Sequence, residues 1–167
     1  MKFRFEQNET VMYGGQGACT LIEICEKDFG GENKFYYVLR PAFSGSSVFY
    51  VPVDSSLLTS KMRRLKNSDE IRDIVSNASL PEWIPEDRAR QNSLKQIIDG
   101  GSTDALVSAL KLLAIKQREF IENGKKLRAS DERSLRDIER LLCEEFSFAF
   151  NLVKDDVIPF ILGEKEL

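Results

Sequence analysis

The chain contains no histidine among its 167 residues. This absence excludes Ser-His-Asp and Cys-His nucleophilic sites, histidine-bound zinc and facial-triad iron. Histidine is also the most common general acid–base in enzymes, so its absence lowers the expectation of catalysis. Chemistry that uses only carboxylates or lysine stays open.

Cysteine is scarce as well: Cys19, Cys25 and Cys143 form no Cys-x-x-Cys pair. An odd count at this spacing argues against a disulfide scaffold or a cysteine-rich zinc site. No run approaches the roughly 18 apolar residues of a membrane span, and the first residues lack the apolar segment of a signal peptide. We expect a cytoplasmic protein with no membrane contact, no metal, no cofactor and no small-molecule substrate.

The residues that are present suit a folded protein, since 42% are hydrophobic and 31% are charged. The net charge of −3 is unevenly distributed along the chain. Residues 61–130 carry a net charge of +4, whereas residues 131–167 carry −5. A mildly basic segment can bind phosphates weakly, but charge alone favours solvated helix faces.

Short β-branched and aromatic segments, separated by glycine-rich turns, fill the first 53 residues. They predict five strands, at 2–5, 10–13, 18–25, 34–40 and 48–53. The segment Gly14-Gly15-Gln16-Gly17 leads into a strand and not a helix, so it predicts a structural turn and not a phosphate-binding loop. Five short strands within about 50 residues fit a small Tudor-like or SH3-like β-barrel.

The hydrophobic period becomes helical after residue 55. Helices are predicted at 68–77, 86–98, 103–123, 130–150 and 156–162, with residues 81–85 irregular because of two prolines. The fold class is therefore α+β: a β-barrel domain over 1–55, a linker over 56–67, and an all-α domain of four to five helices over 68–167.

Trp83, the only tryptophan, precedes a helix that contains Arg88, Arg90 and Lys95. An aromatic ring beside a cationic helix can act as a wedge or a stacking surface on DNA. Composition alone favours the alternative, in which the ring fills the space between the two domains. The basic run at residues 61–66 has two similar interpretations, a phosphate contact or a solvated linker.

The order of several motifs carries more information than any one of them. The motifs are Val11-Met12-Tyr13-Gly14-Gly15-Gln16-Gly17, Leu21-Ile22-Glu23-Ile24, Tyr36-Tyr37-Val38-Leu39, Tyr50-Val51-Pro52-Val53, and Trp83 before a basic helix that ends in Asp99-Gly100-Gly101. In this order the chain resembles the CarD/CdnL family of bacterial RNA polymerase-binding transcription regulators.

For the β domain, the resemblance implies a Tudor-like fold that binds the polymerase β subunit. An exposed strand edge would pair with a strand of the β subunit. Lys27, Val48 and Tyr50 are the residues expected at this contact. Lys27 and Tyr50 align with arginines that contact polymerase in some members of the family.

For the helical domain, the resemblance implies contact with promoter DNA at the upstream edge of the melted bubble. Trp83 matches the family tryptophan that wedges into the minor groove, and Arg88, Arg90 and Lys95 would hold phosphate. The predicted function is therefore a non-enzymatic transcription regulator that stabilises the open complex.

Two other functions stay open from the sequence. The first is a protein-only adaptor, whose β domain binds a partner by strand pairing without DNA contact. The second is a carboxylate-based enzyme, for which no Asp or Glu spacing gives support. An exposed β edge is also compatible with either a monomer or a domain-swapped dimer.

Overall fold

The computed structural model describes residues 1–167, which divide into two compact units, Met1–Leu65 and Lys66–Leu167. Strands dominate the first unit and helices the second. None of the helices combines the length and the apolar character that a membrane crossing requires.

The first unit is a five-stranded antiparallel sheet. Its strands are β1 (Thr10–Tyr13), β2 (Ala18–Asp28), β3 (Asn33–Pro41), β4 (Phe49–Pro52) and β5 (Met62–Arg64), with a short helix α1 (Ser56–Thr59) before β5. The strand order in the sheet is β4-β3-β2-β1-β5. A single 3-10 turn, Gly14–Gln16, connects β1 to β2, so the glycine-rich segment is a structural turn.

The β2–β3 hairpin is closed by the side chain of Asp28. Its Oδ1 accepts hydrogen bonds from the backbone N–H groups of Gly30 (3.1 Å) and Gly31 (2.6 Å). Gly31 has a φ of +91°, a conformation that favours glycine. The bond from Gly30, together with that from Gly31, lowers the pKa of the Asp28 carboxyl because both stabilise its ionised form.

The core of the first unit includes a residue from outside the sheet. Residues 2–5, predicted as a strand, form none. Phe5 is nevertheless 1% exposed, and its ring meets Tyr37 edge-on with centroids 5.8 Å apart. The alternating aromatic residues at 2–5 therefore reflect the burial of Phe5, although the backbone of this segment does not join the sheet. The core cluster is Phe5, Val11, Cys19, Leu21, Tyr37, Leu39, Val51 and Met62.

The fifth strand, β5, lies in the segment predicted as a linker. It pairs antiparallel with β1, with Met62 opposite Tyr13. Met62 is fully buried, while the exposed Arg64 donates from Nε to the Glu9 carboxylate at 2.8 Å. Because Met62 is flanked by charged residues, no pattern in the sequence indicates a buried strand position here. Residues 56–67 thus carry α1 and β5, and the first unit extends to residue 65 rather than 55.

The second unit contains five helices near their predicted positions. They are α2 (Ser68–Asn77), α3 (Asp87–Gly100), α4 (Thr103–Glu122), α5 (Ala129–Ser147) and α6 (Val157–Ile161). A capping box between Asn67 and Glu70 starts α2, and Gly101, with a φ of +66°, ends α3. The predicted fold class, a five-stranded N-terminal β domain followed by helices, is confirmed.

The core of the second unit joins the apolar faces of α4 and α5, which include Leu106, Leu110, Leu113, Ile138, Leu142 and Phe146. One carboxylate, Glu145, is fully buried among them. It accepts hydrogen bonds from the Thr103 hydroxyl and from the Lys66 N–H, each at 3.0 Å. Because a buried carboxylate is tolerated only when hydrogen-bonded, these bonds tie the starts of α2 and α4 to the end of α5.

Candidate functional site

Trp83 lies in the irregular loop between α2 and α3, where Pro81 and Pro85 restrict the backbone. The indole is half-buried. It meets the ring of Phe120 on α4 edge-on, with centroids 6.0 Å apart and planes at 90°, a favoured geometry for two aromatic rings. The loop therefore presents a ring that is anchored on α4 and still reaches solvent.

Two cations stand against the indole of Trp83. The guanidinium carbon of Arg90 is 4.5 Å from the ring centroid, and the ammonium of Lys116 is 5.8 Å from it. Both lie within the roughly 6 Å range of cation–π attraction. The ring is thus held electrostatically as well as by packing.

Arg90 uses all five of its N–H donors. Nε and Nη2 donate to the two carboxylate oxygens of Asp131, each at 2.8 Å. Nη2 also donates to Asp87 at 2.6 Å. Nη1 donates to the backbone carbonyls of Ile84 (2.9 Å) and Pro85 (3.3 Å). The hydrogen bond to Asp131 is the main cause that raises the pKa of Arg90, against the opposing effect of burial.

This geometry differs from the phosphate contact predicted for Arg90. The residue is only 5% exposed, and every donor already has a protein acceptor, so none is left for a phosphate. Its position four residues before the buried Leu94 places both side chains on one face of α3. This spacing is the sequence signal that would have placed Arg90 toward the core.

Arg88 and Lys95, the other two predicted phosphate contacts, are exposed on α3. They are seven residues apart, which places them on one face of the helix. Arg90 lies two residues after Arg88, on the opposite side. The structure therefore brings Arg88 and Lys95 together on a solvent face and separates Arg90 from them.

Asp131 connects the Trp83 loop to α5. It lies in the first turn of that helix, where a carboxylate is favoured by the helix dipole, and it is 1% exposed. Besides Arg90 it accepts from Nε2 of Gln91 at 2.6 Å. Arg128, just before α5, pairs with Asp87 at 2.9 Å and is itself exposed.

The residues that hold Trp83, directly or through Arg90 and Asp87, come from distant parts of the chain. Phe120 and Lys116 lie at the end of α4, and Asp131 and Arg128 lie at the start of α5. Sequence reasoning did not identify them, since no local pattern links residues that are more than 30 positions apart. Only the packing of three helices brings them to the loop.

The first unit carries a separate pair of exposed aromatic residues, Phe29 and Tyr50, which contact the buried Tyr36 and are here called the aromatic surface. The ring of Phe29 is 5.1 Å from that of Tyr36 and 5.2 Å from that of Tyr50, edge-on in both cases. Phe29 is 59% exposed and Tyr50 39%. Lys27 extends the surface, with its ammonium 5.8 Å from the Tyr50 ring.

The aromatic surface adjoins the end of the sheet at β4. This strand pairs only with β3, so its other edge has no strand neighbour. Tyr50 belongs to β4, and the half-buried Val48 directly precedes the first residue of that strand. The three residues predicted to contact polymerase are therefore a contacting pair, Lys27 and Tyr50, and one residue, Val48, that directly precedes the edge strand.

Residues 5–66 match the family model of the CarD-like/TRCF RID domain. They form a CarD-like domain. The match starts at the buried Phe5 and ends two residues after β5, so it spans nearly the whole first unit. A search of curated proteins finds no match to the chain.

The match of this domain supports a role in RNA polymerase interaction and transcription. Domains of this family are in general non-enzymatic. No three His, Cys, Asp or Glu side chains are grouped so that they could hold a metal ion. The aromatic surface and the β4 edge belong to the CarD-like domain, whereas Trp83 lies in the helical unit, outside the matched residues.

Proposed function

We propose that the protein is a transcription regulator that binds the RNA polymerase β subunit and promoter DNA and stabilises the open complex. The CarD-like domain binds polymerase, and the helical unit contacts DNA at the upstream edge of the bubble. The observation that carries the proposal is Trp83, a partly exposed ring held by Phe120 and Arg90, which precedes a helix with the exposed cations Arg88 and Lys95.

On the polymerase side, the open edge of β4 pairs with a strand of the β subunit. Lys27, Val48 and Tyr50 lie at this contact, and Phe29 extends it. Exposed aromatic side chains support the assignment because they dominate the binding energy of many interfaces. Lys27 contributes a point charge and not the bidentate fork of an arginine.

On the DNA side, Trp83 inserts at an unstacked base step and so favours the melted state over reannealing. Arg88 and Lys95, which share the solvent face of α3, bind phosphates. A net charge of −3 opposes tight binding to free DNA. Attachment to polymerase removes this difficulty, because it raises the local concentration of the helical unit at the promoter.

The packing of Trp83 also favours a second candidate, the protein-only adaptor. A half-buried indole packed against Phe120 and Arg90 is typical of a tryptophan whose role is to stabilise the fold. In that case the CarD-like domain binds its partner by strand pairing, and the helical unit has no DNA contact.

The lifetime of open complexes after competitor challenge separates the two functions. Trp83→Ala should shorten it by about tenfold or more, since stacking of an aromatic side chain on a base contributes about 1–3 kcal/mol, and should leave polymerase binding intact. Phe148→Ala, which removes a ring that is 51% exposed from the same unit, is the matched control and should have no effect. An unchanged lifetime with Trp83→Ala would reject the wedge.

Salt dependence provides an independent test with the full chain. Contact with DNA predicts a log–log slope of about −0.9 for each phosphate contacted. The adaptor predicts a slope close to zero with DNA. Capture of the full chain by the isolated N-terminal lobe of the polymerase β subunit tests the other half of the proposal.

A further inference from the structure

Three contacts made by Arg90 converge on the Trp83 loop. The guanidinium stacks on the indole at 4.5 Å. It also donates to the carbonyls of Ile84 and Pro85, the two residues that follow Trp83. One side chain therefore fixes both the ring and the backbone that carries it.

The loop depends on such contacts because it has neither a helix nor a ladder to fix its backbone. The two prolines reduce the number of conformations available to it but do not select one. A wedge must be held in position before it meets the bases, since a mobile ring loses conformational freedom on binding. The Arg90 bonds provide this preorganisation.

The remaining donors of Arg90 show what holds Arg90 itself. Asp131 accepts two parallel bonds at 2.8 Å and is almost fully buried. A bidentate pair fixes the orientation of the guanidinium, whose carbon lies over the indole, 4.5 Å from the ring centroid. A lysine keeps the charge but has neither the plane nor five donors, so it cannot hold the ring and both carbonyls together.

We infer that Arg90 is a positioning residue for Trp83 and that Asp131 acts through Arg90, so that α5 sets the orientation of the wedge. The inference rests on the proposed function only for its effect on the open complex. The orientation of the ring itself is a property of the free protein and is measured without polymerase or DNA.

The single tryptophan makes this measurement specific, because all indole fluorescence comes from Trp83. Arg90→Lys and Asp131→Asn should raise acrylamide quenching and lower the emission anisotropy, while far-UV circular dichroism stays unchanged. Arg118→Lys is the matched control: it alters a second Arg–carboxylate pair of the helical unit, with Glu164, and should leave the fluorescence as in the wild type.

A double-mutant cycle then tests the route of action. Arg90→Lys should shorten the open-complex lifetime about fivefold, as expected for the net loss of one hydrogen bond. In the Trp83→Ala background it should have no further effect, since Arg90 works only through the ring. Polymerase capture should be unchanged in every variant.

Three results would overturn the inference. One is fluorescence identical to wild type in both Arg90→Lys and Asp131→Asn. Another is a multiplicative loss in the cycle, which would mean that Arg90 acts on DNA independently of Trp83. The third is a change of fluorescence in Arg90→Lys and Asp131→Asn without a change of the open-complex lifetime, although Trp83→Ala shortens that lifetime. If Trp83→Ala itself has no effect on the lifetime, the proposed function fails, and quenching alone decides whether Arg90 positions the ring.

Discussion

The aromatic surface of the CarD-like domain and the Trp83 site of the helical unit present aromatic rings in opposite ways. Phe29 and Tyr50 are exposed and pack edge-on against each other, and the ammonium of Lys27 lies over the Tyr50 ring. Trp83 is half-buried and is held by a buried arginine whose donors are all satisfied.

This difference indicates two kinds of recognition. Rings that touch mainly other rings can adjust to a protein partner, and aromatic side chains give such an interface much of its energy. A ring fixed by a buried ion pair is preorganised for one geometry, which suits insertion at a base step. Substitutions in the aromatic surface should therefore change binding to the partner without changing the stability of the fold. Substitutions at the Trp83 site should change both.

The largest expected effect is on the stability of the helical unit. Asp131→Ala leaves the buried Arg90 with only Asp87 as a charged partner and should lower the free energy of unfolding by about 3 kcal/mol. Urea denaturation measures it. Glu164→Ala removes the exposed partner of Arg118 and should have a much smaller effect, because solvent screens an exposed ion pair. Similar losses in the two variants would contradict the special role of the buried pair.

The next effect separates binding from stability in the CarD-like domain. Phe29→Ala and Tyr50→Ala should each weaken binding to the β-subunit lobe by about 1–2 kcal/mol, as interface aromatics do. Their unfolding free energies should change by no more than about 1 kcal/mol, because both rings are exposed. Calorimetric titration and thermal melts give the two values. Normal affinity in both variants would place the polymerase contact elsewhere on the domain.

A smaller effect distinguishes the three basic residues of α3. Arg88→Gln and Lys95→Gln should each reduce the magnitude of the salt slope for promoter binding by about 0.9, the value for one phosphate. Arg90→Lys should not change the slope, since its donors are used within the protein. If the slope changes with Arg90→Lys and stays constant with the other two, the assignment of the faces of α3 is reversed.

The smallest effect concerns the turn that supports the aromatic surface. The hydrogen bonds from Gly30 and Gly31 lower the pKa of Asp28, so the ionised carboxylate stabilises the folded turn. This contribution is present above the pKa of the unfolded chain and is lost as the pH falls through the lower folded value. NMR shifts of the Gly30 and Gly31 amides should follow that titration. In Asp28→Asn the same shifts should be independent of acid pH.

The sequence predicted those parts of the fold that depend on local pattern. Alternating and β-branched residues located β1 to β4, and capping signals located the helices. It missed β5 because a single buried residue, Met62, stands among four cations. It took Phe5 for a strand residue because alternation reports burial and does not report which backbone groups pair.

For the candidate site, the sequence identified the ring but not what holds it. Trp83 between two prolines was visible as an irregular, aromatic feature. Arg90 was grouped with Arg88 by proximity, although its phase with Leu94 places it on the buried face of α3. Asp131 lies 41 residues beyond Arg90, and only tertiary packing defines such a pair.

Photo-crosslinking from position 83 tests the central claim most directly. The photoreactive residue benzoylphenylalanine replaces the tryptophan in the full chain, which is then assembled with polymerase and a melted promoter. We expect crosslinks to nucleotides at the upstream edge of the bubble, and none when the same residue replaces Phe148. Crosslinks confined to protein, in a complex that contains both polymerase and open promoter, would contradict a DNA-contacting wedge and favour the adaptor.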